Sequence, residues 1–157
     1  MDLSLGANVY YLDGAKAQGI IFLERTFPNL AYQYEMQNIP LYATAKAAFH
    51  DSKKKLSLVT EVGLGPNFMK TKGYSERSID NGVTIPNQAF SGDSSVQFSA
   101  MAGIGLRLND VWKSSSVEVG YKYFYLNEGH LNPRPQVLNQ LQTGQIDAHA
   151  LMITVTA

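Results

Sequence analysis

The chain of 157 residues contains no cysteine, which excludes a disulfide framework, a thiol nucleophile and every cysteine metal site. Charge is scarce. Asp, Glu, Lys and Arg make up 17% of the residues, below the roughly one quarter of ordinary soluble domains. Thirteen basic residues cancel thirteen acidic ones, so no global field points to nucleic acid. Long apolar runs are missing as well. No stretch reaches the roughly 20 residues of a membrane-spanning helix, and Met1 opens directly into an alternating pattern without the basic region and apolar core of an export signal. Phosphate-binding glycine loops, metal-ligand clusters and aromatic-basic nucleic-acid patterns are absent, so no cofactor and no metal is expected.

What the chain does have is a two-residue period. In residues 98–125, FSAMAGIGLRLNDVWKSSSVEVGYKYFY, the residues Phe98, Ala100, Ala102, Ile104, Leu106 and Leu108 share one face, with Met101, Gly103, Gly105 and Arg107 on the other. Past a short polar turn, Val117, Val119, Tyr121, Tyr123 and Tyr125 oppose Glu118, Gly120, Lys122 and Phe124. The same alternation marks residues 3–11, 32–49, 56–65 and 146–157. On residues 32–49, 56–65, 98–108 and 117–125 the second face mixes small residues with single charges, and on 3–11 it is small and polar. A soluble antiparallel sheet shows water a face dense in charge. A small membrane barrel does the reverse, with apolar residues towards lipid and small, sparsely charged ones filling a narrow interior.

The expected fold is therefore all-β: one domain over residues 1–157, an antiparallel up-and-down transmembrane β-barrel with about six long strands. Connections read as long over 15–31, short over 50–55 (HDSKKK), long over 66–95, short over 109–114 and long over 126–145. Consecutive antiparallel strands place alternate connections on opposite rims, which gathers the long ones on one side. Residues 15–31, containing GIIFLERTF, read equally as a short strand or as part of a loop. Pro40 lacks a ladder donor, so a bulge or a strand start is expected there.

Four segments carry a family likeness: VGLGPNF (62–68), FSAMAGIGLRL (98–108), VEVGYKYFYLNEGHL (117–131) and LQTGQIDAHALMITVTA (141–157). On these the chain resembles the small eight-stranded outer-membrane β-barrels of Gram-negative bacteria, the opacity-protein and OmpA-transmembrane-domain group. The segments are degenerate and specify architecture rather than activity. The resemblance implies a monomer in bacterial outer-membrane lipid, porin-like in its wall. It also implies a structural or surface-interaction role, that of a surface antigen meeting host or envelope molecules through long loops. The chain ends in Thr156 and Ala157, where members often carry an aromatic residue. Its six strands look like the last six of eight, so the N-terminal hairpin is expected to be missing ahead of Met1. The alternative recruits residues 15–31 and 66–95 as two further strands.

Lys46, Glu61, Arg107, Glu118 and Lys122 all fall on the face assigned to the interior, where a charge needs a partner, and they are expected to form a lumen-plugging network. Trp112, Tyr121, Tyr123 and Tyr125 are expected at the two membrane–water boundaries, with Tyr10, Tyr11, Tyr32 and Tyr34 also towards the long-loop end. An enzyme is not expected. A lipase- or protease-type barrel needs a histidine oriented by a carboxylate beside a nucleophile. Asp147 and His149 share a strand face, and His130 neighbours Glu128, yet no serine is an evident nucleophile. A soluble lipocalin-like binding barrel is the remaining alternative, and it would leave an outer surface of Gly, Ser and Ala with few charges.

Overall fold

Alternation continues well beyond the six segments read from sequence, and the strands are correspondingly longer. The computed structural model describes residues 1–24, 27–50, 55–112, 115–135, 137 and 139–156. Among them are eight strands and no helix: β1 (Asp2–Val9), β2 (Leu12–Glu24), β3 (Phe27–His50), β4 (Leu56–Ser78), β5 (Phe90–Ser91), β6 (Ser94–Trp112), β7 (Ser115–Pro133) and β8 (Leu141–Thr156). All pair antiparallel, and the sheet curls into a half-barrel. β1 lies along residues 41–48 of β3 and β2 along residues 27–38. Between them the Tyr10 N–H donates to the Pro40 carbonyl at 3.1 Å, so β1 and β2 act as one edge strand. The wall then runs β3, β4, β6, β7, β8, each neighbour in space following its neighbour in sequence, apart from the two-residue β5 laid along the far end of β7.

Three expectations change. Residues 15–31 are no long loop but β2 and the start of β3, joined as a hairpin. Half of 66–95 belongs to β4 and β6, and most of 126–145 to β7 and β8. Of the alternative that drew two extra strands from 15–31 and 66–95, the first part falls in β2, which continues the edge begun by β1, and the second supplies the two-residue β5 besides lengthening β4 and β6. Glycines in the left-handed region allow the ladders to continue. Gly14 (φ 81°) sits in the register shift between Leu12 and Ala15, and Gly144 (φ 73°) in the one opposite Glu128 and His130. Pro40 lies in the middle of β3 rather than near its start. There the β3–β4 ladder skips Leu41 and Tyr42 against Gly65 and Pro66 without changing register.

The two faces separate by polarity in the inverted sense. Outward lie Leu58, Val62, Leu64, Phe98, Ile104, Leu106 and Val119, all more than 40% exposed. Inward lie Thr44, Ser57, Glu61, Ser99 and Glu118, all buried. The apolar outer band ends at an ionic border, where Lys16 pairs with Glu35 (3.6 Å) and Lys72 approaches Asp13 (3.8 Å) and Glu35 (4.0 Å). Beyond that border β2, β3 and β4 extend as a ribbon that exposes Ile20, Phe22, Leu23 and Phe27 beside its polar residues.

Candidate functional site

The interior is built in layers along the strands. Nearest the short-turn rim is the charge network, into which the structure gathers all five charged candidates. Glu118 accepts from Lys46 Nζ (2.8 and 2.9 Å to its two oxygens) and from Arg107 Nε and Nη2 (3.1 and 3.0 Å). Glu61 accepts from Lys122 Nζ (2.7 Å) and Asn8 Nδ2 (2.8 Å), and Lys122 also donates to the Tyr10 hydroxyl (2.7 Å). Each carboxylate thus collects donors from at least two strands, which offsets part of the cost of holding it out of water. Glycine provides the room: a Cβ on Gly103 would lie 3.2 Å from Lys122 Cγ.

The charges do not plug the lumen alone. Next along the axis, the rings of Tyr10, Tyr42 and Phe124 pack with centroids 5.0 to 6.3 Å apart, sealed by Met101 and Leu126. Tyr42 and Phe124 are completely buried. A thin polar layer follows, in which Asn67 donates to Asn38 Oδ1 (2.8 Å) and to the Leu126 carbonyl (3.0 Å). A second apolar layer of Tyr34, Met36 and Leu131 lies beyond, with Tyr32, Tyr74 and Phe90 against it. Sequence reasoning missed these layers, although parity holds the signal. Asn67 and Asn38 continue the inward registers of Glu61 and Thr44, and Tyr10 and Tyr34 share inward registers with Asn8 and Tyr42. Tyr10, Tyr32 and Tyr34 therefore leave the boundary set, whereas Tyr11 stays outward and 63% exposed.

The far mouth is closed by the segment between β4 and β6. Glu76, buried, accepts the Tyr74 hydroxyl (2.7 Å) and the N–H groups of Asn87 (2.9 Å), Gln88 (3.0 Å) and Ala89 (3.1 Å). Burial pushes its carboxyl up, but those four donors outweigh it and hold the group below its ordinary range. Asp80 accepts Ser78 Oγ (2.7 Å), the Thr84 N–H (3.0 Å), the Thr84 hydroxyl and Asn29 Nδ2 (3.2 Å), and these hydrogen bonds, led by Ser78, hold it far below the usual carboxylate range. The segment is thereby anchored to the β2–β3 hairpin, and Phe90 stands edge-on to Tyr74 with centroids 5.3 Å apart.

On the outer face of β7, Tyr121 hydrogen-bonds His149 Nδ1 and Tyr123 donates to Asp147 (2.8 Å). Tyr121, Tyr123 and Tyr125 lie midway along β7 rather than at its loop end, because β7 runs on to Pro133. The Trp112 side chain lies outside the described residues, as does that of His50. Asp147 and His149 are each engaged by a different tyrosine and do not bond to one another, and His130 pairs with Asp93 (3.1 Å) rather than Glu128. Two cavities among the described residues bear on the interior and its far end. A cavity of about 630 Å³ near the β2–β3 hairpin takes its lining from both faces of the sheet, including outward Gln33 and inward Glu76, and forms no single cleft. Another, of about 350 Å³, runs along the open side between β1 and β8 beside Lys46, Glu61 and Lys122.

Fold and interior together define an all-β, barrel-like sheet with inverted faces. No family model, curated protein or solved structure matches the chain.

Proposed function

We propose that the chain forms the wall of a small outer-membrane β-barrel. Its role is structural or surface-interactive, carried by the ribbon and loops beyond the ionic border. The observation that supports this reading most is the inversion of the two faces. Val62, Leu64, Phe98 and Ile104 are 54 to 58% exposed, while Glu61 is 6% and Glu118 9% exposed on the other side. In water that arrangement leaves a broad apolar surface uncovered; in hydrocarbon it places apolar groups against lipid and charges against their partners. The outward bands on β4 (residues 56–68) and β6 (residues 96–108) are 13 residues long, enough for tilted strands to cross a hydrocarbon core.

The lipocalin alternative needs an apolar interior open to a ligand, which the charge network and the aromatic layer do not leave. The enzyme alternative needs a serine beside a carboxylate-oriented histidine; among the described residues His130 pairs with Asp93 and His149 with Tyr121, and no hydrogen bond joins a serine hydroxyl to either ring. Attachment to host or envelope molecules belongs to the ribbon beyond the ionic border. The test is a heat-modifiability gel in detergent: a folded barrel migrates differently before and after boiling. A chain that refolds as a soluble monomer without detergent would sink the membrane reading.

A further inference from the structure

We propose that the outward face of the ribbon carries a binding site for a sugar acid, one carboxylate on a polyhydroxyl ring, centred on Arg77. The proposal deepens the surface-interactive reading above and rests on it for the exposure of the ribbon.

Register assembles the site. Cross-strand partners share a face, so three rows stand outward across β2, β3 and β4: Lys16, Glu35 and Lys72; then Gln18, Gln33 and Ser75; then Ile20, Ala31 and Arg77. The second and third rows line the outward part of the cavity near the β2–β3 hairpin. A bulge sets β4 in place. Between the first two rows β4 has one residue more than β3, and Gly73 (φ 66°) takes the left-handed conformation there, which returns Ser75 and Arg77 to the face of Lys72. Ala31 forms the floor. Its single methyl group is flanked by the longer Ile20 and Arg77, with Gln33 two residues along the same strand.

The polar side chains of this site are unspent. Among the described residues, Gln18, Gln33, Ser75 and Arg77 make no side-chain hydrogen bond or ion pair within the protein. Their neighbours are engaged. On the inward face Glu76 collects four donors, and in the first row Lys16 and Lys72 both lie against Glu35.

The free groups define the ligand. A guanidinium takes a carboxylate through two parallel hydrogen bonds. The two carboxamides and the hydroxyl can each donate and accept, as sugar hydroxyls do, while Ile20 and Ala31 offer a surface to the apolar side of a ring. Charge sets the limit. With Lys16 and Lys72 already facing a carboxylate, Arg77 is the free cation at the site, which suits one acidic group rather than a densely charged chain.

The test is a titration with D-glucuronate, followed by NMR of the Gln18 and Gln33 side-chain amides, using protein folded in detergent micelles. Saturable shifts are expected, with glucose, which lacks the carboxylate, and propionate, which lacks the hydroxyls, binding at least about tenfold more weakly. Arg77→Gln should weaken glucuronate binding about tenfold or more while keeping the heat-modifiable band, Arg77→Lys should weaken it less, and Ala31→Leu should block the floor. Glucuronosyl diacylglycerol in the micelle distinguishes the source. Shifts with this lipid alone assign the sugar acid to the surrounding leaflet, and shifts with both assign it to solution as well. Glucose or propionate binding as well as glucuronate, no shift with either carrier, or an unchanged affinity in Arg77→Gln would overturn the proposal. Absence of the heat-modifiable band would sink the barrel reading instead, whatever the titration shows, because the three rows need only β2, β3 and β4.

Discussion

At Glu118 two cations converge on one carboxylate that is only 11% exposed at its side chain. Replacing it by Gln leaves Lys46 and Arg107 facing each other across the lumen without a counter-charge. Removing one partner of a buried pair is costly mainly because the other charge stays behind. Lys46 and Arg107 keep side-chain exposures of 23% and 25%, so some of that cost is relieved by water. Glu118→Gln is expected to lower stability by about 2–3 kcal/mol, read as a shifted urea midpoint in detergent. Arg107→Lys, which keeps the charge and loses the fork, should cost less. A different residue-scale constraint acts at Gly65, where an added Cβ would lie 1.9 Å from the Leu41 carbonyl oxygen. No side-chain rotation relieves a clash with backbone, so Gly65→Ala should force β3 and β4 apart beside Pro40 and abolish the heat-modifiable band. The five charges were legible because a period of two assigns each to a face. Their partners were not, since Lys46 and Glu118 lie 72 positions apart and meet only through curvature that periodicity does not encode.

Among the elements, β4 shows most clearly where reading from sequence stops. Residues 56–65 alternate cleanly, but Gly65, Pro66 and Gly73 with polar neighbours resemble the start of a loop. The strand nevertheless runs to Ser78, because β3 on one side and β6 along its first part on the other supply a ladder that tertiary pairing imposes over weak local propensity. GIIFLERTF, open between strand and loop, falls in β2 and the start of β3 for a related reason: pairing between the two supplies a ladder that local composition does not announce. The segment after β4 has its own acid response. Glu76 titrates below its ordinary 4.5 in the folded protein, so its contribution is fully present above that value and is lost as pH falls through the lowered folded value. Asp80, also lowered, acts in the same direction. Amides of Asn87, Gln88 and Ala89 should thus keep constant protection from pH 7 to about 5, after correction for intrinsic exchange, and lose it in stronger acid before the wall unfolds. Glu76→Gln should raise their exchange about 10- to 100-fold at pH 7, and a mutant that exchanged like the parent would remove the anchoring role.

For the whole molecule, the class of fold and the identity of its two faces were readable, because both follow from alternation alone. Strand lengths, the aromatic layers and the open side were not, since each depends on how far pairing continues and how tightly the sheet curls. The two stacked apolar layers and the paired charge network are expected to seal the proposed barrel along its axis, so liposomes containing the protein in its native form should retain small sugars. Free passage of sugars would contradict that sealing. Ile104→Lys, on the outward face, should instead impair insertion, at a cost of about 2–4 kcal/mol if the site lies near the bilayer midplane. Every wall strand pairs with the strand before or after it in sequence. Adjacent hairpins can therefore be gained or lost at either margin without rewiring those that remain, which makes such a wall evolvable in units of two and lets register form progressively, from local turns outward, during assembly.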